Sequence, residues 1–201
     1  VVLALEEDPH EPPARPIHVE ALPEEAAREA VRLARRLALP LEGYTADGGF
    51  FVEGDSPLLE AHQRLLGVEA EGADLLRLSS PLVRLQVLAE GEAPVERLLE
   101  ALPRGLQAHV AESPKMPGVR FVSLTKEGVS KLSAARLVAE AYGLPLSECA
   151  MVGENDLELL RAVGVGIAMG NAPPSVKRAA QRVVAPVEAC GLAEALRLLR
   201  G

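Results

Sequence analysis

The sequence predicts an α/β protein in two parts: a parallel-sheet core at its C-terminal end and a separate α+β unit before it. Three observations carry this. Residues 19–125 mix hairpin signals with helical ones, the texture of an α+β unit. After residue 126, short apolar runs alternate with helical stretches, as parallel strands do with the helices that cover both sheet faces. The chain has 201 residues and is 48% apolar, enough for one large core or two small ones.

The elements follow in order. "VVLALEEDPHEPPARPIH" (1–18) reads as a strand, a proline-bearing turn and a second extended piece. An amphipathic helix is predicted over 22–39, with Pro23 near its start, acids in its first turn and Pro40 as its stop. "LEGYTADGGFFVEG" reads as a β-hairpin with Asp47-Gly48 at the turn. A short helix over 57–66, a strand in "PLVRLQVLAEG", a helix in "APVERLLEALPRG" and strands in "LQAHVAES" and "VRFVSLT" complete this part.

The C-terminal part opens with the helix "SKLSAARLVAEAYG", serine at its cap and glycine at its end. Strands "CAMVG", "VGIAMG" and "RVVAP" then alternate with helices "DLELLRAVG", "PPSVKRAA" and "GLAEALRLLR".

Composition narrows the function classes. The net charge of −8 argues against nucleic-acid binding through a basic face. No apolar stretch approaches a membrane span, and "VVLALEED" is too short and too acidic for a signal peptide, so a cytoplasmic protein with no membrane partner is expected. Cys149 and Cys190 sit in unrelated contexts; they are read as free buried thiols in a reducing compartment. Arginine outnumbers lysine 17 to 4 and amides are few, the composition of a heat-adapted source. A lone histidine is read as a packing or surface residue, which covers His62 and His109, and His10 and His18 are expected to be exposed.

The chemistry-bearing residues gather in three segments. Open α/β sheets bind ligands at the carboxyl ends of their strands. Three such loops are predicted: "TKEGVSKL" with Lys131, "VGEND" with Glu154, Asn155 and Asp156, and "MGNAP" with Asn171. One ammonium, two carboxylates and two amides suit a hard divalent cation and a phosphate. Asn155 and Asn171 are the only asparagines in the chain. Each residue also has a plainer reading: Lys131 as a solvated lysine, the acids as helix caps, Asn171 as a left-handed turn residue.

With these motifs in view, the stretch from Gly128 to Gly191 resembles the C-terminal part of the haloacid dehalogenase superfamily, in its Cof-type sugar-phosphate phosphatase branch. "EGVSKLSAARLV" is similar to the lysine motif of that branch, and "ENDLELLRAVGVGIAMGNAPPSVKRAA" to its acidic motif and the following loop. Residues 19–125 resemble the branch's C2-type α+β cap. The resemblance implies a Rossmannoid core with entry segment 1–18, cap 19–125 and core 126–201. It also implies a Mg²⁺-dependent phosphatase acting on a small phosphorylated metabolite, such as a sugar phosphate, through a phospho-aspartate. Lys131 would then be catalytic, Asn155 and Asn171 would bind substrate, and Asp156 and Glu154 would hold the metal. A homo-oligomer is allowed.

Two departures stand out. The family's nucleophile lies in a D-x-D-G-T-type motif, and none of Asp8, Asp47, Asp55, Asp74 and Asp156 has D-x-D spacing. The core is therefore read as incomplete at its N-terminus. In the acidic motif Gly153 is followed directly by Glu154-Asn155-Asp156, two residues shorter than the family pattern. These departures keep a second reading open: a catalytically inactive relative or fragment that binds a phosphorylated ligand or a protein partner.

Overall fold

The computed structural model describes residues 2–3 and 16–200. The proline-bearing turn, His10 and Asp8 lie outside the described residues. Strands β1 (Val2–Leu3) and β2 (Pro16–His18) pair antiparallel, the extended pieces expected at the start of the chain. The chain divides into two compact units: residues 19–129, and residues 130–201 together with 2–18.

In the first unit, α1 (Glu24–Arg36) buries Ala26, Ala27, Ala30, Val31, Leu33 and Ala34, one apolar stripe at helical spacing. Glu24 and Glu25 in its first turn and Arg35 and Arg36 in its last match the helix dipole. The helix ends at Arg36, before Leu39. Ala38 takes a left-handed conformation (φ 53°), and the Leu39 amide bonds back to the Ala34 carbonyl at 2.9 Å, which closes the helix ahead of Pro40.

The hairpin forms as predicted. Strands β3 (Leu41–Thr45) and β4 (Phe50–Glu53) pair antiparallel, and Gly48 supplies φ 90° at the turn. Helix α2 (Pro57–Leu66) starts on a Ser56 cap and stops at left-handed Gly67. A two-residue β5 (Glu71–Gly72) and a 3₁₀ turn (Leu75–Arg77) follow, neither expected from the sequence. Strand β6 (Leu82–Glu90), helix α3 (Ala93–Glu100), and strands β7 (Leu106–Ser113) and β8 (Met116–Lys126) complete the unit.

The six strands form one mixed sheet, order β5-β4-β3-β6-β8-β7, antiparallel except at β4–β5. Strand alternation gives it two different faces. Leu41, Leu85, Val87, Val122 and Leu124 pack with α1 and α3 residues in the main core. Val52, Leu88 and Phe121 pack with Leu59 of α2 in a smaller one.

The second unit holds α4 (Lys131–Ala141), a 3₁₀ turn, β9 (Ala150–Gly153), α5 (Leu157–Ala162), β10 (Val165–Ala168), α6 (Pro174–Ala179), β11 (Arg182–Val183), another 3₁₀ turn and α7 (Gly191–Leu199). The three strands form a parallel sheet, order β11-β10-β9. Strand β10 is covered on both faces: Ala168 packs with Leu160 and Val176, and Ile167 with Val184 and Ala195. The α/β expectation therefore holds, with strands shorter than the apolar runs suggested.

The cysteines differ from expectation. Both are free, but Cys190 is exposed and Cys149 only half-buried. Cys190 carries φ 58° immediately before α7, a turn position outside the core. His18 is half-buried, not exposed.

Candidate functional site

Parallel pairing places the ends of β9 and β10 side by side. Ala168 is in register with Gly153, and the Met169 amide donates to the Gly153 carbonyl at 3.0 Å. The residues just beyond, Glu154 and Asn171, therefore meet: Asn171 Nδ2 donates to Glu154 Oε2. Gly170 is needed for this path, because a Cβ there would come 2.6 Å from Pro186 N and 2.8 Å from Pro186 Cδ.

Helix α4 delivers the lysine. Ser130 caps it through a capping box with Ser133, which fixes Lys131 as the first helical residue. Lys131 Nζ then donates to Asp156 Oδ2 at 2.8 Å. Asp156 occupies the cap position of α5, but its side chain makes no capping bond there. Its carboxylate is turned to the lysine.

The plainer readings can now be weighed. Asp156 is not a side-chain cap, and Lys131 is exposed but ion-paired. Asn171 is not a left-handed turn residue, since Ala38 and Cys190 are the only non-glycine residues of positive φ among the described residues. Four of the five sequence-predicted residues thus form two linked pairs in one unit: Lys131–Asp156 and Asn171–Glu154. Asn155 lies in the same loop, exposed, and no side-chain bond fixes it among the described residues.

Sequence reasoning passed over a buried polar network in the first unit. Glu42 is fully buried and accepts from Tyr44 Oη at 2.8 Å and Gln86 Nε2 at 2.9 Å; its other oxygen is 2.6 Å from His62 Nδ1. Ser123 Oγ donates to Gln86 Oε1 at 3.1 Å. Burial pushes the Tyr44 hydroxyl far above its usual range, and the adjacent Glu42 carboxylate adds to this. The available signal was the alternation that puts Glu42 and Tyr44 on one face of β3. Their burial depends on α2, which no pattern within β3 reveals.

Residues 13–196 match the family model described as haloacid dehalogenase-like hydrolase. An HMP-PP phosphatase of Cronobacter sakazakii is 30% identical over 137 residues, covering 65% of this chain and 48% of that protein. A phosphoglycolate phosphatase of Archaeoglobus fulgidus is 40% identical over 73 residues, 35% of this chain and 33% of that one. The solved structure of BT1666 from Bacteroides thetaiotaomicron, described among phosphatases of the HAD superfamily, superposes with a TM-score of 0.71 at 26% identity, covering 89% of this chain and 65% of that one. The chain spans less than half the length of the two curated relatives. Across nearly its whole length, the chain belongs to the haloacid dehalogenase-like hydrolases, in their Cof-type branch.

Proposed function

We propose that the protein containing this chain is a Mg²⁺-dependent phosphatase that hydrolyses a small phosphorylated metabolite, of sugar-phosphate type, through a phospho-aspartate. The observation that carries this reading is the Lys131–Asp156 pair at 2.8 Å, in the unit where Asn171 meets Glu154. The two relatives described above, by name an HMP-PP and a phosphoglycolate phosphatase, support a small phosphorylated substrate. In this reading residues 130–201 with 2–18 are core, and residues 19–129 are cap.

The donor set fits Mg²⁺. Glu154 and Asp156 offer hard carboxylate oxygens, and among the described residues no group of three or more His, Cys, Asp or Glu gathers into a closed cage. One or two carboxylates, completed by water and phosphate oxygens, is the set Mg²⁺ accepts. When bound, the ion supplies charge neutralisation at the phosphoryl group.

The chain's own residues do the following. The Lys131 ammonium holds negative charge on the phosphoryl oxygens as a point donor. Asp156 fixes that ammonium in position. The Asn171 and Asn155 amides orient phosphate oxygens without adding charge. The nucleophilic carboxylate is not found among these residues, since no two aspartates of the sequence have D-x-D spacing. The shortened acidic motif, in which Gly153 runs directly into Glu154-Asn155-Asp156, favours the second reading, a relative that binds a phosphorylated ligand without turning it over.

Release of phosphate from p-nitrophenyl phosphate and a sugar-phosphate panel by the complete protein, with Mg²⁺ and with EDTA, tests the proposal. Mg²⁺-dependent turnover is expected. Binding of a sugar phosphate with no turnover of any substrate would replace it with the second reading.

A further inference from the structure

The six-stranded sheet of the first unit ends differently at its two edges. At one edge stands β5, only two residues long, Glu71–Gly72. At the other stands β7, eight residues long and paired on one side only, with β8. The side of β7 away from β8 is thus a row of backbone donors and acceptors with no strand beside it.

Register shows which groups these are. The Glu127 amide donates to the Gly105 carbonyl at 2.9 Å, and β7 keeps the same antiparallel register with β8 as far as the Glu112–Arg120 pair. Hydrogen-bonded and non-bonded pairs alternate along an antiparallel ladder. Gln107, His109 and Ala111 therefore bond to β8, and the N–H and C=O groups of Ala108, Val110 and Glu112 point away from it. The start of the strand is covered by its own unit. The Leu106 amide donates to the Pro103 carbonyl at 3.3 Å, and the Gln107 side chain holds the Gly128 amide and the Val129 carbonyl. Beyond that cover, His109, Val110, Ala111 and Glu112 are all exposed, apolar Val110 at 45%.

Monomeric proteins guard such edges with lysine, proline, an inward charge or a bulge. Residues 106–111, "LQAHVA", contain no Lys, Arg, Asp, Glu or Pro. Glu112 is ion-paired with Arg120 of β8, and the break in register comes only after it. The strand is also close to self-complementary. Laid antiparallel to a copy of itself about Val110, it sets Val110 against Val110, His109 against Ala111 and Ala108 against Glu112. No like charges are opposed, and the outward groups of 108, 110 and 112 meet one another. The net charge of −8 disfavours self-association at random, but the one charge in this row is already paired.

We propose that β7 is the interface of a symmetric dimer, in which two copies of the chain join edge to edge, about a two-fold axis at Val110, into one continuous sheet. Such a contact closes on itself. Open-ended growth needs a second long edge, and two-residue β5 does not offer one. The contact lies wholly within the first unit, and it forms whether or not the protein turns over a phosphate.

Light scattering and amide hydrogen exchange of the complete protein, from about 1 µM to about 1 mM, test this, since a short edge-to-edge contact belongs with the small, weak interfaces. The expected result is a mass that rises from monomer toward dimer, with a Kd on the order of 100 µM. Exchange at Ala108, Val110 and Glu112 should slow as the dimer forms. Val110→Pro removes an outward N–H without removing a bond to β8, and should weaken association by about 10-fold or more. Val110→Lys and Val110→Glu should each stay monomeric, because like charge faces like charge, and an equimolar mixture of the two should associate. That rescue requires position 110 to face itself, and a misfolded variant cannot produce it. A chain still monomeric at about 1 mM overturns the proposal, as does a dimer that survives Val110→Pro and Val110→Lys unchanged. A mixture that fails to associate overturns the axis at Val110. Slow exchange of the same three amides where the chain is monomeric would put a segment of the protein itself on the edge, and overturns the dimer as well. If Val110→Pro does not fold, the Lys and Glu variants decide alone.

Discussion

Lys131 Nζ and Asp156 Oδ2 lie 2.8 Å apart across 25 positions of sequence. The contact joins the first residue of α4 to the loop after β9. If the pair serves phosphoryl transfer, Lys131→Ala and Asp156→Ala each lower kcat/KM of the complete protein by about 10²–10³-fold, as loss of a transition-state charge partner does. The double variant should lose little more than either single one, because the two act as a unit. Steady-state kinetics of the three variants check this, and fully additive losses would show two independent roles.

Gly170→Ala should destabilise the second unit by about 1–3 kcal/mol. The new Cβ would meet Pro186 N at 2.6 Å and Pro186 Cδ at 2.8 Å, both parts of a stiff segment. Displacement of the loop would also move Asn171 away from Glu154. Chemical denaturation reads the first effect and phosphatase assay the second.

Glu42→Ala removes the shared acceptor of Tyr44 and Gln86 and the ring partner of His62. Leaving those buried polar groups without a partner should cost roughly 3 kcal/mol. Glu42→Gln keeps the shape and two polar atoms and should cost less. A melting temperature unchanged in Glu42→Ala would show the network to be energetically idle.

Arg35 holds the Asp74 carboxyl below the usual carboxylate range, with a further bond from the Leu76 amide. A carboxylate depressed on folding stabilises the protein above its unfolded pKa of about 3.9 and loses that contribution as pH falls through the lower folded value. Stability should therefore decline as the solution is taken below about pH 4. In Arg35→Ala the Asp74 titration should move back up toward the ordinary range, which NMR of the carboxyl carbon would follow.

Legibility in the sequence followed the range of the interactions involved. The hairpin turning at Asp47-Gly48, the Pro57 helix and the alternation after residue 126 are local signals, and each element formed. Asp156, Glu154 and Asn171 were legible because a parallel sheet brings strand ends together, a rule that needs topology but not packing detail; Lys131 instead follows β8 of the six-stranded sheet and reaches Asp156 from the start of α4. Helix α1 was read three residues too far at its C-terminal end, since nothing local announces a left-handed alanine at Ala38. The burial of Glu42 and His62 was hidden for a different reason. It depends on α2 lying over β3, and neither strand nor helix records which partner covers it.

The second unit is drawn from both ends of the chain, residues 2–18 and 130–201, with the first unit inserted between them. Bringing β1 and β2 against α4 therefore closes a loop of roughly a hundred residues. The entropy of closing such a loop grows only with the logarithm of its length, about 0.6 kcal/mol per doubling. Through the covalent connection alone, melting the inserted unit thus changes the closure cost of the other by a small amount. The insertion point tolerates a large change of cargo, and a calorimetric trace of this protein can resolve two melting events instead of one.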